Sequence, residues 1–159
     1  MLKKIAYILL AIFVVIQFIR PERNQSAQAQ PFALSAKYTV PHAVDGILKK
    51  ACNDCHSNNT VYPWYANIQP VAWWLADHVK EGKGELNFDE FLNYSQKKAH
   101  HKMEEVIEMV KEGEMPLNSY TIVHGDAKLS QEEKVAITDW ASGVMKQIET
   151  ASPEVLMKK

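Results

Sequence analysis

Residues 52–56 read Cys52-Asn53-Asp54-Cys55-His56, which is the pattern C-x-x-C-H. Two thiols three positions apart reach the two vinyl groups on one edge of a porphyrin, and each forms a thioether there. The next residue, His56, then projects its imidazole under the centre of the ring, where it binds the iron. This pattern is the attachment signature of c-type haem. It predicts one covalently attached haem c, linked through Cys52 and Cys55 and bound at its iron by His56.

Three other interpretations of the two cysteines remain open. Structural zinc usually takes four ligands in two pairs, and the chain has no further cysteine. A thioredoxin-like redox motif expects a βαβ setting, whereas this chain has helical patterns. A structural disulfide across so short a loop adds little stability. Haem attachment is the interpretation that the pattern favours.

The second axial ligand decides what such a haem can do. Met115 is the best candidate, since Met115-Pro116 follows a predicted helix that stops at Gly113, and Pro116 stiffens the loop. Methionine opposite histidine raises the reduction potential, and two protein ligands close the iron to small molecules. His78, on the apolar side of a predicted helix, is the competing distal ligand.

Aromatic residues after the motif are expected to form the walls of the haem site. Trp64 and Trp74 are the candidates. Pro63 is expected to shape the loop 61–64, so that a backbone carbonyl of this loop accepts the Nδ1–H of His56. Such an acceptor orients an iron-bound imidazole.

Apolar residues recur with helical spacing along most of the chain. After Pro41 they fall at i, i+3, i+4 and i+7, which predicts one helix that ends at the cysteine motif. No segment shows the alternation of a strand, so the sequence predicts an all-α domain. Four further helices are predicted. The first runs from Pro70 to a stop at Gly82 and Gly84, and the second begins at a capping box of Asn87 and Glu90. The third contains Met103–Val110 and stops at Gly113, and the last begins at a capping box of Ser130 and Glu133.

The N-terminus has the features of a targeting segment. Residues 5–19 are almost purely apolar and follow Lys3 and Lys4. About fifteen residues are short for a membrane span of about twenty and typical of a signal-peptide core. Ala27-Gln28-Ala29 fits the cleavage pattern, but residues 20–24 separate it from the apolar core. We therefore expect export to the periplasmic face of the cytoplasmic membrane, with residues 5–19 as an anchor or with release after cleavage near Ala29.

Four segments are predicted: a signal or anchor (1–20), a linker (21–37), the haem domain (38–150) and a tail (151–159). Residues 30–159 contain fourteen basic and eighteen acidic residues, a net charge of −4. No basic patch exists for nucleic acid. The acidic domain favours a basic docking surface on its redox partner proteins.

Two longer stretches resemble a known family. Residues 52–88 (CNDCHSNNTVYPWYANIQPVAWWLADHVKEGKGELNF) and 112–141 (EGEMPLNSYTIVHGDAKLSQEEKVAITDWA) are similar to the exported bacterial haem-binding domain family, over about residues 43–142. The resemblance implies a single cytochrome c-like domain with Met115, in its Met-Pro context, as distal ligand. It also implies that the last helix packs across the first helix of the domain, with Gly46 and Trp140 in close contact. Leucine at position 46 is then expected to destabilise the domain.

The expected function is single-electron transfer between membrane or periplasmic redox partners, without enzymatic activity. The alternative is a haem-based sensor or a small haem enzyme with an open or displaceable sixth ligand. Binding of carbon monoxide to the reduced protein separates the two.

Overall fold

A computed structural model describes residues 1–153, so most of the predicted tail 151–159 lies outside the described residues. All regular structure in that range is helical, with one isolated bridge between Gln25 and Asn59 and no strand. The expectation of an all-α chain is confirmed for this range. The α-helices are α1 (Leu2–Ile16), α2 (His42–Ala51), α3 (Asn53–His56), α4 (Val71–Glu85), α5 (Gln96–Glu112), α6 (Asn118–Thr121) and α7 (Gln131–Ala151). Short 3₁₀ turns cover Leu34–Ala36, Trp64–Asn67, Phe88–Asn93 and Gly125–Ala127.

The predicted ends of the helices that frame the core are confirmed. Pro41 immediately precedes α2, whose predicted apolar stripe is buried. Ser130 caps α7 through a reciprocal capping box, in which the Ser130 hydroxyl accepts from the Glu133 amide at 3.2 Å and the Glu133 carboxylate accepts from the Ser130 amide at 2.9 Å. Gly113 ends α5 with φ 78°, a left-handed conformation that glycine adopts without strain.

The core lies between α5 and α7, which pack against each other, and α2 contacts α7. A salt bridge of 2.7 Å between Lys50 and Glu133 joins α2 to the start of α7. The fully buried core side chains include Phe91, Met103, Ile137, Val144 and Ile148. This packing fixes the end of α2, and therefore the cysteine motif that follows it.

Two sequence-based boundaries differ from the structure. Helix α4 does not stop at Gly82 or Gly84 but runs on to Glu85. The segment after Asn87 is a 3₁₀ turn rather than an α-helix, and the Asn87 side chain accepts from the Asp89 amide at 3.0 Å. Asn87 therefore caps this short turn.

The expected close contact at Gly46 is wrong. A Cβ at position 46 would meet no atom within 4 Å, so the contact between α2 and α7 does not require glycine there. Leucine at position 46 is therefore not expected to block this contact. Trp140 does pack in the core, and its indole N–H donates to the Thr39 carbonyl at 3.2 Å.

Residues 21–37, expected to be a linker, instead pack against the domain. Leu34 is 2 % exposed and belongs to the main core cluster. The Asn24 side chain donates to the Ser57 carbonyl and to the Thr60 hydroxyl, and accepts from the Lys83 ammonium group at 2.6 Å. This polar segment is therefore held by specific hydrogen bonds to the helical domain.

A junction at Gln69 joins the residues after α1 to the domain. Gln69 is 1 % exposed; its amide N–H donates to the Gln17 side chain at 3.0 Å, and its side chain donates to the Ile19 carbonyl at 2.7 Å. The Trp73 indole donates to the same carbonyl at 3.0 Å. Helix α1 itself buries none of its residues. Within the described residues, no helix combines the length and the apolar character that crossing a membrane requires.

Candidate functional site

The cysteine motif forms one tight turn at the end of α2. The Cys52 amide donates to the Leu48 carbonyl at 2.9 Å, and the His56 amide donates to the Cys52 carbonyl at 2.9 Å. This turn places the two thiols one helical turn apart. Burial raises the pKa of Cys52 to about 12, with a smaller contribution from Cys55, and raises that of Cys55 to about 11, with a smaller contribution from Asp54. Redox-active cysteines have lowered pKa values, so these two thiols are unlike those of a thioredoxin-type site.

Two adjacent cavities meet at the motif, with volumes of about 390 Å³ and 340 Å³. Both volumes fall in the range of about 300–1,000 Å³ that is usual for small-molecule sites. The first cavity extends between α4 and the segment that carries Met115. The second extends between α5 and the Leu86–Phe88 segment. Both are lined by Ala51, Cys52, His56, Glu85 and Met115.

His56 has one ring nitrogen committed and one available. Nδ1 lies 3.0 Å from the Leu86 carbonyl, which can only accept, so Nδ1 carries the proton. Burial lowers the pKa of His56 and favours the neutral ring. Nε2 is then the nitrogen left to bind a metal. The predicted acceptor in loop 61–64, shaped by Pro63, is wrong, because the carbonyl comes from the residue that follows α4.

Gly82 sets the distance between α4 and the motif. A Cβ at this position would lie 2.8 Å from the Cys55 carbonyl oxygen and 3.0 Å from the Cys55 Cβ. Real Cβ atoms do not approach backbone this closely, so only glycine allows α4 to pack here. A glycine inside a helix costs about 1 kcal/mol relative to alanine, and this contact is the reason for it. Gly82 also lines the first cavity.

Met115 lies in the turn after α5, the position predicted from the sequence. Its amide and that of Glu114 both donate to the Met109 carbonyl, at 3.1 Å and 3.0 Å. The side chain is half-buried and lines both cavities together with His56. The structure thus brings together Cys52, Cys55, His56 and Met115, while ligation by Met115 stays a prediction.

The competing ligand His78 also lines the first cavity. Its Nδ1 donates to the Trp74 carbonyl at 2.9 Å, and its ring centre lies 4.2 Å from that of Trp74. His101 lines the second cavity near Glu104 and Glu105. His78 therefore stays the alternative to Met115.

The two predicted wall residues and Pro63 lie elsewhere. Pro63, Trp64 and Trp74 line neither cavity, and Trp64 is 76 % exposed. Smaller apolar side chains form the walls instead, among them Leu48, Phe88, Val106, Val110, Leu117 and Ile137. Tyr120 was also missed, because it is distant from the motif in sequence and reaches the first cavity only through the fold.

The residues present suit a haem. The cavities are largely apolar and accept a flat hydrophobic ring. His56 and Met115 line both cavities, and imidazole nitrogen and thioether sulfur are axial ligands of haem iron. Cys52 and Cys55 both line the first cavity.

Comparison with known proteins agrees with this assignment. No curated protein and no solved structure matches the chain. The model of one family, described as a haem-binding domain, matches residues 11–143, which is most of the chain. The chain therefore belongs to the haem-binding domain family.

Proposed function

We propose that the protein carries one covalently attached haem c and transfers single electrons between redox proteins. Cys52 and Cys55 form the two thioethers, and His56 and Met115 are the axial ligands. The observation that carries the proposal is that all four residues line the first cavity. The contact between α2 and α7 agrees with a cytochrome c-like arrangement.

The chain's own residues suit a carrier rather than an enzyme. Bound haem supplies a one-electron Fe(III)/Fe(II) couple. The Leu86 carbonyl holds the imidazole of His56 in one orientation and one tautomer, which keeps reorganisation small. Met115 would supply the second iron ligand, which would raise the reduction potential and exclude small ligands. The acidic domain favours a redox partner with a basic docking surface.

Replacement of both Cys52 and Cys55 by serine is expected to abolish covalent haem attachment. For the test, the protein is produced in cells that export it and that contain a haem-attachment apparatus. The purified protein is then denatured and extracted with acidified organic solvent. The wild type should retain its haem through this treatment, because thioethers survive unfolding, and the double variant should lose all of it.

The single variants Cys52→Ser and Cys55→Ser serve as graded controls, since each leaves one thioether and should retain haem. A colourless wild type with two alkylatable thiols would contradict haem attachment and favour a thiol or zinc module. A coloured wild type that loses its haem on denaturation would leave haem binding intact and disprove the covalent link.

We also propose that the protein is exported and anchored at the periplasmic face of the cytoplasmic membrane by its uncleaved apolar segment 5–19. Two observations support an anchor. Helix α1 is apolar and buries none of its residues against the domain. Cleavage near Ala29 would remove Asn24, whose side chain makes three hydrogen bonds to the domain.

The exported protein is therefore expected to keep residues 1–29 and to stay with the membrane after an alkaline wash. Intact mass spectrometry of the purified protein measures this directly. Ala29→Leu is the matched control, because it removes the small residue that a signal peptidase needs. A wild type that begins near residue 30, beside an uncleaved Ala29→Leu variant, would contradict the anchor.

A further inference from the structure

The segment 114–124 crosses the mouth of the first cavity with little apolar packing of its own. Ile122 is 82 % exposed, Val123 is 59 % exposed and Leu117 is 37 % exposed. Segments with few buried apolar contacts open at low cost in free energy. Something other than burial must therefore hold Met115, near the start of this segment, against the cavity.

The start of the segment is fixed by α5, through the two amide donors to the Met109 carbonyl. Beyond Pro116 the first side-chain hydrogen bond to the cysteine motif is made by Tyr120. Its hydroxyl donates to Asp54 Oδ2 at 2.8 Å. Asp54 stands between the two cysteines in sequence. The bond therefore joins the segment that carries Met115 directly to residues 52–56, the attachment turn.

Asp54 is itself held in place. Its second oxygen, Oδ1, accepts from the Val61 amide at 2.9 Å, and its carbonyl accepts from the Thr60 hydroxyl at 2.6 Å. The Val61 amide holds the carboxylate and the Thr60 hydroxyl holds the backbone of Asp54, so the acceptor of Tyr120 is fixed in place. Hydrogen bonds to charged acceptors are roughly twice as strong as neutral ones.

Tyr120 is also fixed from its other side. Its ring stacks on His124, with centres 4.3 Å apart and planes 15° from parallel. Nε2 of His124 lies 2.6 Å from the Tyr65 hydroxyl, in the Trp64–Asn67 turn. The phenol is thus held between the motif and a second turn, and it borders the cavity beside Met115 and Pro116.

We propose that Tyr120, through its hydrogen bond to Asp54, is the positioning residue that keeps Met115 on the sixth site of the iron. The inference rests on the proposed ligation by Met115. In this role Tyr120 acts through the segment that carries Met115: it holds the segment against the motif, and this positions the thioether. The bond fixes the fraction of time for which the sixth position is closed.

The test is Tyr120→Phe in the full-length holoprotein, since phenylalanine keeps the ring on His124 and removes only the hydroxyl. The readouts are the sulfur-to-iron charge-transfer band of the oxidised protein and the rate of carbon monoxide binding to the reduced protein. The band should weaken. The rate should rise by about tenfold or more, as expected for the loss of a hydrogen bond to a charged acceptor.

Two variants separate positioning from general stability. Tyr62→Phe also deletes a hydroxyl, one that accepts from the Asn24 amide at 2.8 Å, and Tyr62 lines neither cavity at the motif; its band and rate should equal those of the wild type. Asp54→Asn keeps the contact with the donor reversed, because its amide can donate to the Tyr120 oxygen. It should therefore change the rate less than Tyr120→Phe.

Each outcome decides the matter. An unchanged band and rate in Tyr120→Phe, with a band that Met115→Ala abolishes, would overturn the role of Tyr120 and leave Met115 as ligand. Equal changes in Tyr120→Phe and Tyr62→Phe would reduce the effect to loss of stability and also overturn it. A wild type without the band, indifferent to Met115→Ala, would overturn both the positioning role and the proposed ligand. If Tyr120→Phe does not fold, Asp54→Ala, which removes the acceptor of the Tyr120 hydroxyl, decides by the same two readouts: with Tyr62→Phe as control, a rate increase confined to Asp54→Ala supports the proposal and a wild-type rate overturns it.

Discussion

Replacement of Gly82 by leucine is expected to destabilise the domain by about 1–3 kcal/mol, the usual cost of forcing extra atoms into a packed site, and to lower the yield of attached haem. The first atom of the new side chain would lie 2.8 Å from the Cys55 carbonyl oxygen, so either α4 or the attachment turn must move. The rest of the side chain would enter the first cavity. Thermal denaturation and the ratio of haem to protein measure the two effects.

Gly84→Leu is the matched control, two residues further along the same helix. A Cβ at position 84 would meet nothing within 4 Å. Leucine should therefore leave haem content unchanged and, by its better helix propensity, stabilise the helix by up to about 1 kcal/mol. Equal effects of the two substitutions would show that Gly82 matters only as a helical glycine, and would remove the contact with Cys55 from the explanation of the site.

Replacement of Met115 by alanine is expected to lower the reduction potential of the holoprotein by on the order of 100 mV, a modest part of the roughly 0.8 V over which axial ligands set haem potentials. The thioether stabilises Fe(II) relative to Fe(III), and alanine supplies no donor in its place. The sulfur-to-iron charge-transfer band should vanish, and the reduced protein should then bind carbon monoxide rapidly and stoichiometrically. Redox titration and optical spectra measure these changes.

Met145→Ala provides the comparison, since Met145 is a partly buried methionine that packs against the core and lines neither cavity at the motif. It should cost stability without changing the potential or the band. A potential that Met115→Ala does not change would assign the sixth position to another residue, with His78 the first to replace. Rapid carbon monoxide binding by the wild type would favour the sensor or enzyme over the carrier.

Local signals in the sequence predicted much of this fold correctly. The capping box at Ser130, the apolar stripe of α2 and the stop at Gly113 each depend on residues within one or two turns. The cysteine motif depends on a spacing of three. Met115 was predicted to lie near the motif from a local turn signal together with the family resemblance. In the structure Met115 and the cysteine motif line the same cavities.

The errors concern contacts between distant residues. A glycine inside a helix indicates that another part of the chain comes close to the helix, but the sequence does not show at which glycine. The contact was predicted at Gly46, whereas the structure has it at Gly82. The acceptor for His56 comes from Leu86, thirty residues away. Polar composition likewise does not distinguish a solvated linker from a segment that is bound to the folded domain. Asn24 lies in such a segment, and its side chain makes hydrogen bonds to the domain.

The buried Gln69 has a mechanical consequence. Helix α1, about 22 Å long at 1.5 Å per residue, makes no buried contact, yet residues 17 and 19 at its end are hydrogen-bonded to Gln69 and Trp73. The helix is therefore held to the domain by hydrogen bonds at its C-terminal end, and not through a flexible linker. A force on it is therefore transmitted to the first turn of α4, and α4 packs through Gly82 on Cys55 of the cysteine motif.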